Sequence, residues 1–189
     1  MRLPLVVGIT GASGAVYGVE LLRALKDLGR EAHLILTRAG ERTLELETDS
    51  APNEVRALAA RVYDEDDVAA PLASGSFPVA GMAVAPCSIK TLSAIANSYN
   101  HNLLVRAADV QLKERRPLVL MVRETPLHRG HLELMAKAAS LGAVILPPMP
   151  AFYHRPQSVT DIVRQGVGKA LDQLGVDHDL FARWQGPRP

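Results

Sequence analysis

Cysteine is all but missing from this chain. Cys87 is the only one in 189 residues. No intrachain disulfide can form, and a reducing compartment, the cytoplasm, is the expected location. Aromatic residues make up 4%, with a single Trp, so any cluster of rings carries more meaning than usual. No apolar run reaches the roughly 20 residues of a membrane-spanning helix, and no membrane span is expected. The start, Met1-Arg2-Leu3-Pro4, runs straight into an apolar segment and leaves no room for a signal peptide. A surplus of charge is missing too: 21 Lys and Arg face 20 Asp and Glu, for a net charge of +1. That balance argues against nucleic acid or a membrane surface as partner, since either calls for a strong basic excess.

What is present suits one domain over residues 1–189: 48% hydrophobic and 22% charged residues, in a chain long enough for a full core. The first turn organises the rest. Leu5-Val6-Val7-Gly8-Ile9 reads as a strand that runs into Thr10-Gly11-Ala12-Ser13-Gly14-Ala15, and a helix candidate, 16–28, follows at once. Gly8, Gly11 and Gly14 are spaced by three. This fits neither the dinucleotide fingerprint nor the Walker loop. Glycines at a strand-to-helix turn admit close backbone approach, and the helix N-terminus favours an anion. With the hydroxyls of Thr10 and Ser13, the turn predicts a phosphate cradle, a plain structural turn being the alternative.

Downstream, apolar runs at 32–36, 79–85, 117–122 and 143–146 predict strands. Periodic segments at 38–46, 53–62, 89–97, 103–116, 127–141 and 158–174 predict helices. Asn53 is expected to cap the second of these and Ser88 the third. The 64–78 connection, acidic at first and then rich in Ala, Ser, Gly and Pro, is expected to lie over the carboxyl edge of the sheet. Strand–helix–strand alternation gives a three-layer α/β fold with a mainly parallel sheet.

Several residues have chemistry to offer. Arg123 and Glu124 follow the fourth strand, where open α/β sheets present their ligand loops. The arginine can hold a phosphate and the carboxylate can carry a proton, or the two can tie a loop. Arg106 and Lys113, seven apart, share a helix face about 10 Å apart. With Arg123 and Lys169 they could form an anion pocket, whereas an Asp109–Lys113 pair is the ordinary alternative. Ser88 and Thr91 start a helix and suit ligand contact. His128 and His131 have the spacing of two metal ligands, but no third ligand accompanies them and no metal is expected. Cys87, in apolar surroundings, is expected to be inert. The run Met149-Pro150-Ala151-Phe152-Tyr153 is hard to hide in a monomer and predicts cover by a partner chain or ligand.

Taken together, these segments identify a family. The chain resembles the UbiX family of flavin prenyltransferases over nearly its whole length. The resemblance rests on Thr10-Gly11-Ala12-Ser13-Gly14-Ala15, Glu47-Thr48-Asp49, Pro86-Cys87-Ser88, Arg106-Ala107-Ala108-Asp109-Val110 and Leu112-Lys113-Glu114-Arg115-Arg116-Pro117. Arg123-Glu124-Thr125-Pro126, Gly142-Ala143-Val144-Ile145-Leu146-Pro147 and Pro150-Ala151-Phe152-Tyr153-His154-Arg155-Pro156-Gln157-Ser158 complete it.

The resemblance implies a Rossmann-like flavoprotein fold and a large homo-oligomer, usually a dodecamer. It implies transfer of a dimethylallyl group, generally from dimethylallyl monophosphate, to N5 and C6 of reduced FMN. The product, prenylated FMN, would pass to a UbiD-family decarboxylase, and no metal would be needed. By position, Gly11, Ala12, Ser13, Thr37, Ser88, Thr91 and Arg123 correspond to FMN contacts. Arg106, Lys113, Glu124, Tyr153 and Lys169 correspond to the prenyl-phosphate pocket. Ser13, Glu47 and Glu124 are the implied proton-handling residues. Subunit interfaces contribute to the family's sites. Two departures stand out: some members carry Arg where this chain has Lys169, and Trp where it has Val68. A flavin-dependent decarboxylase of cysteine-containing substrates, a flavin carrier and an oxidoreductase are the rival readings.

Overall fold

The computed structural model describes residues 2–186; Met1 and 187–189, the ends of the expected 1–189 domain, lie outside the described residues. Six parallel strands form one sheet in the order β3-β2-β1-β4-β5-β6. They are β1 (Leu5–Ile9), β2 (Ala32–Leu36), β3 (Arg61–Tyr63), β4 (Gly81–Cys87), β5 (Leu118–Val122) and β6 (Val144–Ile145). Every residue of β1, β2, β4 and β5 is buried, which is why these strands read as unbroken apolar runs.

Among the described residues, seven helices cover the sheet: α1 (Ala15–Asp27), α2 (Arg38–Glu47), α3 (Pro52–Arg56), α4 (Ile89–Ala96), α5 (Leu103–Lys113), α6 (Arg129–Ser140) and α7 (Val159–Gln173). The period-2 alternation of β1 divides the core. Leu5, Val7 and Ile9 pack with Val19 and Leu22 of α1 and Val167 and Leu171 of α7. Val6 faces the other way, to a cluster with Leu92 of α4, Leu104 of α5 and Ala138 of α6. Full burial of each such Leu contributes about 1.5–3 kcal/mol. The α1/α7 layer and the α4/α5/α6 layer therefore lie on opposite faces of the sheet.

Two expectations are corrected. The helix foreseen over 53–62 is only five residues long, and Ala51, not Asn53, is its N-cap, with Pro52 at the first position. Proline there has φ preset for a helix start. Residues 61–63 instead extend and pair with β2, His33 opposite Arg61; edge pairing outweighs the helical period of Val55, Leu58 and Val62. The 64–78 connection leaves the carboxyl edge after Glu65. It descends along α5, with a single 3₁₀ turn at Pro71–Ala73, held where Arg106 Nε donates to Ala73 O and Arg116 to Gly75 O and Phe77 O.

Candidate flavin and anion site

The strand order reverses between β1 and β4. Chain leaving β1 passes to one side of the sheet and chain leaving β4 to the other, so a crevice opens above their carboxyl ends. Thr10 bridges that gap. Its hydroxyl donates to Pro86 O at 2.7 Å and accepts from Ser88 N–H at 2.9 Å, and the side chain is 2% exposed. The sequence suggested Thr10 as a phosphate ligand, but its hydroxyl is already occupied as a clamp between the two strands.

Helix starts surround the crevice. Thr37 caps α2, its Oγ1 accepting from Gly40 N–H and donating to Ile9 O. Ser88 caps α4, accepting from Thr91 N–H and donating to Thr91 Oγ1. Asn102 caps α5 through Val105 N–H. Together they line a cavity of about 370 Å³ with Gly11, Arg38, Lys90 and His101. First-turn N–H groups of the helices, hydroxyls and the cations Arg38 and Lys90 meet there, as a phosphate site requires. The Glu65 carboxylate also lines the cavity, accepting from Arg38 N–H, and the Arg38 guanidinium pairs with Asp66.

The three glycines do different work. Gly8 and Gly11 serve packing. A Cβ on Gly8 would lie 2.9 Å from Leu104 Cδ1, and one on Gly11 would lie 2.6 Å from Ala39 Cβ. Only Gly14 uses the left-handed region, with φ +99°, and it starts α1. The α1 N-terminus, foreseen as the cradle, is engaged by the chain itself: Glu47 Oε2 accepts from Gly14 N–H at 2.6 Å and Ala15 N–H at 3.3 Å. Burial works against the charge on Glu47. Hydrogen bonds from Ser13, Gly14 and Ala15 outweigh it, and with the nearby Arg123 guanidinium they hold the carboxyl below its ordinary value.

Arg123 and Glu124 emerge from β5 beside the end of β4, where Arg123 N–H donates to Cys87 O. Ser13, Glu47 and Arg123 thus gather next to the crevice, and Ala12 is buried. Glu124 is exposed, and its carboxylate accepts from Thr125 N–H.

The remaining cations are not brought together within one chain. Arg106 donates to Asp109 Oδ2 at 2.9 Å and to Ala73 O. Lys113 pairs with Glu114, so the Asp109–Lys113 pair is replaced by two others. Both cations sit on α5, against the descending connection. Lys169 sits on α7 beside Asp172, across the thickness of the sheet from α5. Tyr153 lies in the segment between β6 and α7, its ring 6.1 Å from that of Trp184. The four-cation anion pocket of Arg106, Lys113, Arg123 and Lys169 is therefore not formed inside a single protomer, because α5 and α7 pack on opposite faces.

Other candidates have local roles. Burial pushes the Cys87 thiol far up, and it sits wholly within the core. His128 Nδ1 accepts from Gly130 N–H and caps α6, with the His131 ring tilted by 34° and its centroid 3.5 Å away. Among the described residues, no group of three or more His, Cys, Asp or Glu side chains is disposed for a metal. Nor is any helix there long and apolar enough to cross a membrane. Sequence reasoning passed over Arg38, Lys90 and Glu65. The first two immediately follow or nearly follow a capping hydroxyl, a cue to a cation at a helix start. Glu65 bridges α2 and α5 by accepting from Arg38 N–H at 2.8 Å and Asn102 Nδ2 at 3.1 Å. Nothing local in the sequence marks that role.

A family model described as Flavoprotein matches residues 2–170. The flavin prenyltransferase UbiX of Thauera aromatica is 59% identical over 182 residues, 96% of this chain and 94% of that protein. Among solved structures, AnUbiX (PadA1) in complex with FMN and dimethylallyl pyrophosphate superposes with a TM-score of 0.98 at 48% identity, covering 100% of both chains. A dodecameric FMN-dependent UbiX-like decarboxylase from Escherichia coli O157:H7 superposes with a TM-score of 0.95 at 48% identity, covering 97% of this chain and 100% of that one.

Proposed function

Since the chain belongs to the UbiX/Pad-type family of flavin prenyltransferases, we propose that it joins a dimethylallyl group to N5 and C6 of reduced FMN. Dimethylallyl monophosphate is the proposed donor, and prenylated FMN the product handed to a UbiD-type decarboxylase. The carrying observation is the placement of Glu47, locked on Ser13 and the α1 N-terminus and facing Arg123, beside a cradle lined by three helix starts.

The residues fit FMN. Thr91, with Arg38 and Lys90, would hold its phosphate at the helix starts that Thr37 and Ser88 cap, and the Gly11-Ala12-Ser13 turn would let the flavin approach the backbone. Reduced FMN supplies the nucleophilic N5 and C6. Glu47 and Ser13 would hold or move a proton near N5, and Glu124 would serve the second proton transfer. Loss of the donor phosphate builds negative charge, which Arg106, Lys113, Lys169 and the Tyr153 hydroxyl would stabilise. Because α5 and α7 face away from each other, these groups can meet only where different copies of the chain contribute. A homo-oligomer, taken as a dodecamer, follows from that requirement. The dodecameric neighbour supports it, as do the exposed Met149 and Phe152, 71% and 67% accessible in one protomer.

The test is anaerobic incubation with reduced FMN and dimethylallyl monophosphate, then mass analysis of the released flavin. A gain of one prenyl unit with free phosphate is expected. AnUbiX is complexed with the pyrophosphate, so the diphosphate is run in parallel; unmodified FMN with both donors would refute the proposal.

A further inference from the structure

Beyond α7 the chain turns back across its own last helix. Gly168 makes the notch: a Cβ there would lie 2.5 Å from the Phe181 ring and 2.7 Å from the His178 ring. The His178 side chain is 1% exposed. Its Nε2 donates to Gly168 O at 2.8 Å and to Asp172 Oδ1 at 3.1 Å, and its Nδ1 accepts from Leu180 N–H at 3.2 Å. Those bonds specify the neutral Nε2–H tautomer. Arg183 closes the turn with two bonds to Asp172, at 2.8 and 3.2 Å, its guanidinium 5.4 Å from the Phe181 ring centroid.

Asp172 is the joint of this assembly. Its carboxylate receives His178 and Arg183 from the returning segment and Lys169 from its own helix, the last at 3.5 Å. Immediately after Arg183 comes Trp184, edge-on to Tyr153 and yet 62% exposed. A segment that served only to cover the core would bury its indole. Here the indole is held out, edge-on to the Tyr153 phenol, directly after the arginine that Asp172 holds.

We propose that Asp172 is a positioning residue for the allylic phosphate donor. It orients Lys169 directly, and through His178 and Arg183 it clamps residues 176–184 into the Gly168 notch so that Trp184 stands against Tyr153. The proposal rests on the assignment of Lys169 and Tyr153 to the donor site.

Two variants of the full-length protein test it, Asp172→Asn and Gly168→Ala. The first removes the charge that gathers the clamp. The second unseats the segment without touching a charged group. Trp184 is the sole tryptophan, so steady-state anisotropy of the flavin-free protein reports the clamp without any turnover. Both variants are expected to lower that anisotropy. The KM for dimethylallyl monophosphate should rise about tenfold in both, with kcat changed less than about threefold and FMN affinity within about twofold. A fall in anisotropy with an unchanged donor KM would overturn the proposal, as would unchanged anisotropy in both variants. If the parent enzyme transferred no prenyl group from either donor, the functional proposal would fall, and the donor role of Asp172 with it. That failure is separable, because FMN titration and Trp184 anisotropy need no donor.

Discussion

Replacing Thr10 by Val keeps the side chain's shape and deletes one buried hydroxyl at the strand-order reversal. Two partners lose it. Pro86 O still receives Thr10 N–H at 3.3 Å, so it loses only its shorter bond, worth about 0.5–1.5 kcal/mol. Ser88 N–H loses its acceptor, costing about 1–3 kcal/mol if water cannot reach it. Ser88 is half-buried, which favours the lower part of that range, so the sum is about 2–3 kcal/mol. At this chain length, about 2–4 °C is lost per kcal/mol, giving a fall in Tm of roughly 5–10 °C. Thr10→Ser is the control. It keeps both hydrogen bonds and removes one methyl, for about 1 kcal/mol. Denaturation must be run at matched protomer concentration, since assembly shifts apparent stability. FMN affinity should fall severalfold in Thr10→Val alone, because Ser88 caps α4 at the crevice. If Thr10→Val is no less stable than Thr10→Ser, the hydroxyl is not a clamp and the reasoning fails.

Other expectations follow from the same geometry. Gly11→Ala forces the α2 start away from the crevice through Ala39, and FMN titration should show at least a tenfold loss of affinity. Unchanged affinity would mean that α2 does not form the cradle. Glu47→Gln removes the charge held by Ser13, Gly14, Ala15 and Arg123; prenyl transfer should fall by about 10²-fold or more, with FMN still bound. The Glu47 carboxyl titrates lower in the folded chain than in the unfolded one. Its contribution to stability is therefore complete at neutral pH, declines as pH drops into the ordinary carboxylate range, and is gone below the folded value. Acid titrations of stability should thus converge for parent and Glu47→Gln only at the acid end.

Much of the site was legible from short-range chemistry. A capping hydroxyl marks a helix start that can hold an anion, which is legible at Ser88; the cation that follows, in Thr37-Arg38 and Ser88-Ile89-Lys90, is a second cue that went unused. Glu47 was visible only through family resemblance. Its role depends on a contact 33 positions away with Gly14, and no local pattern announces such a contact. Thr10 shows the opposite error. A hydroxyl in a glycine-rich turn looks free for ligand, and only its 76-residue reach to Pro86 shows that it is not.

Local pattern is enough for the parallel α/β architecture, because strands buried on both faces must be continuous apolar runs and the helices between them must be amphipathic. It determined where the helices that line the crevice begin, because caps are local. It misplaced residues 61–63, where a partner strand decided between two conformations of similar local preference. Tertiary structure alone decided which side chains share a site. Arg106, Lys113 and Lys169 look like one cluster when counted by charge, yet two lie on α5 and one on α7, with the sheet between them. Spacing along a chain constrains neighbours on one element. The face on which each element packs is set by the global burial of apolar surface, and that determines which charges can ever meet.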